Sequence, residues 1–233
     1  MYDAKDAWLA SLPMKDGLPM LGQVALEGDI GQGSLATIYL GKHTGLELPV
    51  VVKVISEKCA SNANWRERFK REARAAVQIR HPNLIGVLGY EEFLGRQCLI
   101  MEYVAGASLH QRIKTTPLPD ATALDLLIPI VEGLREIWRV GMLHGDLKPA
   151  NIMIQPDGTP KLIDLGLVRP IGRDPLVKEG DIVGTPYFMS PEAVRGDVVL
   201  GIQSDMWSLG VTLYQIITGQ VPFKGGSAVE CLQ

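Results

Sequence analysis

Lys53 stands in the run Val50-Val51-Val52-Lys53-Val54, an ammonium group among branched apolar side chains. Such a position is costly unless the charge is paired or reaches water. Two readings are open: an edge-strand lysine facing solvent, or a lysine turned into a cleft toward phosphate oxygens. In the second case Glu72, on the helical run that follows, has the charge to hold it in place. Upstream, Ile30-Gly31-Gln32-Gly33-Ser34-Leu35-Ala36-Thr37-Ile38 sets two glycines two residues apart between strand-like runs. Glycine permits a tight turn and a close backbone approach, so amide hydrogens can point at phosphate. By itself a Gly-x-Gly between two strands is an ordinary hairpin. No Lys-Ser or Lys-Thr follows it, so it is not a Walker-type loop.

Two more clusters lie in the second half: His144-Gly145-Asp146-Leu147-Lys148-Pro149-Ala150-Asn151, and Lys161-Leu162-Ile163-Asp164-Leu165-Gly166. With the glycine loop, the strand lysine and the helix glutamate before them, they resemble in order and spacing the catalytic domain of the protein kinases. The resemblance covers roughly residues 24 to 233 and looks closest to the eukaryotic-like serine/threonine kinases of bacteria. It implies ATP and Mg²⁺ as cofactors and a role for each matching residue. Residues Ile30 to Ile38 would cover the nucleotide, and Lys53, held by Glu72, would meet its phosphates. Met101 falls at the gatekeeper position, and the Glu102 carbonyl and Val104 amide would meet the adenine edge. Asp146 would orient the acceptor hydroxyl, for which a well-placed carboxylate suffices, because phosphoryl transfer relies on positioning and charge neutralisation. Lys148 would neutralise the γ-phosphate, and its place two residues after Asp146 is the Ser/Thr pattern. Asn151 and Asp164 would hold Mg²⁺, a hard cation that prefers oxygen ligands. His144 looks like a general base, but in this family it is a packed structural residue.

Gly184-Thr185-Pro186-Tyr187-Phe188-Met189-Ser190-Pro191-Glu192 resembles the end of a kinase activation segment, with Thr185 bridging Asp146 and Lys148. Asp205-Met206-Trp207-Ser208-Leu209-Gly210 resembles the buried helix whose aspartate hydrogen-bonds the catalytic-loop backbone. The implied activity is that of a non-specific serine/threonine protein kinase, moving the γ-phosphoryl group of ATP to hydroxyls of a protein substrate. Two alternatives are an inactive pseudokinase or truncated binding module, and a small-molecule phosphotransferase of the aminoglycoside or choline type. Those small-molecule enzymes often carry His-Gly-Asp, as here, but lack the peptide-docking segment around Gly184 to Glu192.

This sequence departs from the family in three respects: the nucleotide pocket, the activation loop and the length. Ala36 replaces the third loop glycine, and Val51 replaces the small residue over the adenine. Gly145 replaces the arginine that grips an activation-loop phosphate, and residues 167 to 183 contain no Ser, Thr or Tyr. Activity is therefore expected not to depend on phosphorylation of that loop. Finally, the arginine that pairs with Glu192 in the family lies on helices beyond Pro222-Phe223. The expectation is that this chain is a piece of a longer protein, with Glu192 unpaired.

The elements that must position these groups follow from periodicity and turn residues. Residues 24–30, 37–42, 49–55, 84–91 and 97–103 read as strands. Asn64 to Ile79 reads as a helix with Trp65, Phe69, Ala73 and Ala76 on its apolar side. Leu118 to Val140 reads as a long helix with Asp120 as its N-cap, and Asp205 to Thr218 as another, ended by Gly219. Short strands are expected at Ile152 to Ile154 and Lys161 to Ile163, with 167–192 loop-like. The fold class is α+β: a protein-kinase-like two-lobe fold with an antiparallel sheet and one helix in the first lobe (about 24–104), and a mainly helical second lobe (about 105–233) lacking its last helices. Residues 1–23 read as an irregular N-terminal extension.

The 233 residues suffice for one large domain or two lobes. A net charge of −3 gives no basic excess for nucleic acid. No apolar stretch within this chain reaches the roughly 20 residues that span a bilayer. Three dispersed cysteines, Cys59, Cys98 and Cys231, fit a reducing cytoplasm. Oligomeric state leaves no trace in the sequence.

Overall fold

The computed structural model describes residues 7–33, 35–164, 169–173, 184–197 and 199–223. Ser34, expected in the glycine loop, lies outside them, as do Leu165, Gly166 and Cys231. The chain divides into two compact units, residues 1–77 with 86–103 and residues 78–85 with 104–233.

The first unit is built on a seven-stranded antiparallel sheet in the order β1-β2-β3-β4-β5-β7-β6. Its strands are β1 (Met14–Lys15), β2 (Leu18–Leu21), β3 (Val24–Gln32), β4 (Ala36–His43), β5 (Leu48–Ile55), β6 (Val87–Phe93) and β7 (Arg96–Glu102). Alternation along β5 sorts its side chains. Val50, Val52 and Val54 point to one face and are at most 1% exposed, while Val51, Lys53 and Ile55 point to the other. The cross-strand register Ile38↔Lys53↔Leu99 places Lys53 in the middle of the sheet. The edge-strand reading of Lys53 is therefore wrong. Helix α3 (Ala63–Gln78) lies on the Lys53 face, burying Phe69, Glu72, Ala73 and Ala76 at helical spacing. The Phe69 ring meets Tyr90 of β6 at 6.4 Å between centroids. Trp65 is only partly covered and carries the Arg68 guanidinium over its ring.

The described residues 7–23, expected to be irregular, carry short regular elements. A one-turn helix α1 (Ala7–Ala10) leads into the β1–β2 hairpin, and β2 pairs with β3. The hairpin turns on Asp16 and Gly17, with φ of 51° and 80°. Both central residues of such a two-residue turn need positive φ, which Asp-Gly supplies with little strain. A second one-turn helix, α2 (Glu57–Ala60), capped by Ser56, follows β5.

The second unit is mainly helical. Ser108 and Gln111 form a capping box at the start of α4 (Leu109–Ile113). Helix α5 (Asp120–Arg139) buries Ala123, Leu126, Leu127, Ile130, Leu134 and Ile137. Its cap is Pro119, and Asp120 is the first helical residue. A carboxylate there acts through the helix dipole rather than as a side-chain cap. Helix α7 (Ile202–Thr218) begins three residues before the expected start and ends at Gly219. Strand β10 (Ile152–Ile154) pairs with β11 (Pro160–Leu162) on one side and β8 (Ala107–Ser108) on the other. Within the expected loop 167–192 there are two short strands, β12 (Arg169–Pro170) and β13 (Gly172–Arg173). They pair with β9 (Met142–Leu143) and β14 (Val199–Leu200). A one-turn helix α6 (Pro191–Val194) is capped by Ser190.

Candidate active site

In the first unit the Lys53 Nζ lies 3.1 Å from Glu72 Oε1, with both side chains at most 10% exposed. Strand β5 and helix α3 each contribute one charge from an apolar surface. Removing either partner would deprive the other buried charge of this short ion pair and destabilise the unit. The glycine loop is the β3–β4 hairpin tip. Gly31 and Gln32 pair with Ile38 and Thr37, and the Gly33 amide donates to the Ala36 carbonyl at 2.9 Å. Ile30 is 55% exposed, Gln32 and Gly33 are exposed, and Leu35 is partly covered. Ala36 is buried in the ladder opposite Ile55. At the end of β7, Glu102 is tied to Gly86 twice. Its amide donates to the Gly86 carbonyl at 2.9 Å, and its Oε1 accepts from the Gly86 amide at 2.7 Å. Met101 pairs with Val51 in β5.

In the second unit Asp146, Lys148, Asn151 and Thr185 form one hydrogen-bonded group. Lys148 Nζ donates to Asp146 Oδ2 and to Thr185 Oγ1, both at 2.6 Å. Thr185 Oγ1 donates to Asp146 Oδ1 at 2.6 Å. Asn151 Nδ2 donates to the Asp146 carbonyl at 2.8 Å and to its Oδ2 at 3.1 Å. Asn151 sits at the end of a 3₁₀ turn (Pro149–Asn151) where β10 begins. There its own carbonyl accepts the Ile163 amide at 2.9 Å. The next residue is Asp164. At the mouth of the β10–β11 hairpin Asn151 thus pairs with Ile163, the residue before Asp164, and the Asn151 side chain is bonded to Asp146. Val104, also of this unit, is buried.

The loop that bears Asp146 is gripped from below by Asp205 of α7, which is 1% exposed. Its Oδ2 accepts from the His144 amide at 2.8 Å and its Oδ1 from the Gly145 amide at 2.9 Å. A third donor, Trp138 Nε1 of α5, reaches Oδ2 at 2.9 Å. Bent around this carboxylate, the backbone takes φ +78° at Gly145, a conformation that costs a residue with a side chain about 1–3 kcal/mol. Glycine at this position therefore has a local reason apart from the loss of a phosphate-gripping arginine. His144 is fully buried, and its Nδ1 accepts the Asp146 amide at 3.2 Å. It braces the loop.

Glu192 is not left bare. Ser204 Oγ donates to its Oε1 at 2.6 Å, and Ser190 Oγ donates to Ser204 Oγ at 3.0 Å. Burial alone would push the Glu192 carboxyl up. The bonds from Ser204, its own backbone and Ser190, with the charge of Arg195, outweigh that and hold it below the usual carboxylate range. Three features were missed from sequence: the Trp138 donor, the Ser190–Ser204 relay and the β1–β2 hairpin. Only the hairpin had a local signal, the Asp16-Gly17 pair.

Residues 24–231 match the protein kinase domain family, and the chain belongs to it. It is a kinase catalytic domain of the bacterial serine/threonine type. It is 34% identical over 203 residues to the probable serine/threonine-protein kinase PknB of Lactococcus lactis, covering 86% of this chain and 32% of that protein. Against the serine/threonine-protein kinase PknL of Mycobacterium tuberculosis it is 35% identical over 206 residues, covering 88% and 51%. With PknB of Mycobacterium leprae it shares 36% identity over 210 residues, covering 87% and 34%. The chain thus spans between a third and a half of the length of these relatives.

Proposed function

We propose that this chain transfers the γ-phosphoryl group of ATP to serine or threonine hydroxyls of protein substrates, acting as a non-specific serine/threonine protein kinase. The observation that carries the reading is the group Asp146–Lys148–Thr185–Asn151, a carboxylate and an ammonium preset on one loop. In the reaction the acceptor oxygen forms a bond to the γ-phosphorus as the bond from that phosphorus to the β,γ-bridging oxygen breaks, leaving ADP. Asp146 orients the acceptor hydroxyl and takes its proton. Lys148 stabilises charge on the transferring oxygens. Lys53, fixed by Glu72, binds the nucleotide phosphates, with residues 30–38 over them and Glu102 and Val104 at the adenine.

The donor set suits Mg²⁺. Asn151 commits its Nδ2 to Asp146, and no donor among the described residues reaches its Oδ1. Asp164 adds a carboxylate. Two oxygen side chains are what Mg²⁺ takes from a protein when waters and substrate phosphates complete its shell. Among the described residues no trio of His, Cys, Asp or Glu forms an alternative all-protein cage. Bound there, the ion would neutralise the phosphates.

The protein partner, the 24–233 extent of the domain and a cytoplasmic location belong to this proposal. No described helix is long and apolar enough to cross a membrane. A radiolabelled-ATP assay on a generic basic protein tests it, with an aminoglycoside and choline as rival acceptors. Wild type should label serine and threonine of the protein. Asp146→Asn and Lys53→Met should each lose on the order of 10²–10³ in rate. Label confined to a small acceptor, or wild-type activity no higher than that of Asp146→Asn, would overturn it.

A further inference from the structure

The sheet of the first unit has two apolar faces, and the phosphate-facing role uses one. The face opposite Lys53 is lined by Leu26, Tyr39, Val50, Val52, Val54 and Cys98, all at most 3% exposed. What covers them is the segment ahead of residue 24. Trp8, Leu9 and Leu12 pack into the same cluster and are themselves at most 8% exposed. The segment is fastened at both ends. Trp8 Nε1 donates to the Phe93 carbonyl at 3.1 Å, and the Arg96 guanidinium lies 5.2 Å from the Trp8 ring centre. Phe93 and Arg96 are paired at the far end of the β6–β7 hairpin. At the other end β2 is hydrogen-bonded to β3. Between these fastenings the chain crosses the sheet from β6 to β3, four strand spacings or about 19 Å.

We propose that this outer face is an interaction surface occupied in cis by residues 7–21, a strap that makes the folding unit reach back at least to α1, ahead of the family-matched span. A lone stretch of 15 residues with strands of two and four residues has no core of its own, so its order comes from the face it covers. In return it removes an apolar patch from water and gives β3 a neighbour, where a bare edge would invite pairing with another chain. The strap also seals Cys98. Burial pushes that thiol up to about 12, with the nearby Glu91 adding to the effect, so it holds almost no thiolate at neutral pH. A partner that docks on this face must first displace the strap. This inference does not rest on the kinase reaction, and its test reads no activity.

Peptide mapping after timed labelling with a maleimide follows Cys98 in the full chain, and hydrogen exchange of the α3 amides reports the opposite sheet face. Trp8→Ala removes the anchor ring. Cys98 labelling should accelerate on the order of a hundredfold, while α3 exchange stays at the wild-type rate. Trp8→Phe keeps a ring but loses the bond to Phe93, and should give an intermediate acceleration of about tenfold. If Trp8→Ala yields no soluble protein, Trp8→Phe decides the matter on the same terms. Unchanged Cys98 labelling overturns the strap. So does labelling that accelerates together with α3 exchange, since that would mark general loosening rather than local uncovering.

Discussion

Replacing Trp138 with phenylalanine removes one hydrogen-bond donor and keeps most of the ring's bulk. The loss falls on Asp205, a carboxylate 1% exposed whose Oδ2 is shared by Trp138 Nε1 and the His144 amide. A hydrogen bond to a charged group is worth about 1.5–3 kcal/mol, and a buried acceptor deprived of it has no water to turn to. Asp205 retains the two loop amides, so the loop is loosened rather than released. If half to all of that energy is felt as a displaced Asp146, at about 1.4 kcal/mol per factor of ten the rate falls roughly 3- to 150-fold. The expected signature is a lower kcat with the KM for ATP little changed, because Trp138 touches no proposed nucleotide contact. Steady-state kinetics on a peptide acceptor measure the split. Trp138→His supplies an N–H to the same carboxylate and should recover most of the kcat that Trp138→Phe loses. The reasoning fails if Trp138→Phe keeps its kcat, or if the histidine variant is as slow as the phenylalanine one.

Two further outcomes are expected. Phosphatase treatment should leave the rate unchanged, since residues 167–183 offer no hydroxyl and Gly145 no guanidinium. A large drop traced to a phosphosite in that stretch would refute this. The second concerns Glu192, whose carboxyl is held below its ordinary value of 4.5, so its bonds to Ser204 and Ser190 stabilise the folded chain above that pH. Their contribution disappears as pH falls through the lowered value. Ser204→Ala should therefore lower the Tm near neutrality, and the gap to wild type should narrow as the pH is taken down below 4.5. A gap that stays constant with pH would show that the carboxylate plays no part.

Sequence revealed most where one residue type at one spacing has a single physical solution. Phe69, Ala73 and Ala76 on one side of a helix and the Asp146 to Asn151 loop are of that kind, whereas Lys53 in its valine run left two readings that only the strand order separated. Boundaries of the longer strands and helices came within a few residues. The N-terminal strap was invisible because its pieces are two to four residues long, too short for periodicity, and Pro13 and Pro19 broke up what remained. Its Asp16-Gly17 turn was the one mark it left. Partnerships across long separations, such as Trp138 with Asp205, depend on how α5 and α7 meet, and nothing local records that. Asp120 shows a smaller error: a good capping residue stands next to Pro119, and the chain entered the helix one residue earlier than cap preference alone suggests.

Both oxygens of the Asp146 side chain already accept short bonds, Oδ1 from Thr185 and Oδ2 from Lys148. Oδ2 also accepts from Asn151, so in the proposed reaction a serine or threonine hydroxyl has to bond Oδ1 alongside Thr185. Trading a bond to water for that one is worth only about 0.5–1.5 kcal/mol. The reacting residue of a substrate is then recognised by shape and placement but contributes little to its own residence time. Under the proposed reaction, residence time and selectivity among targets then rest on the residues that flank the acceptor.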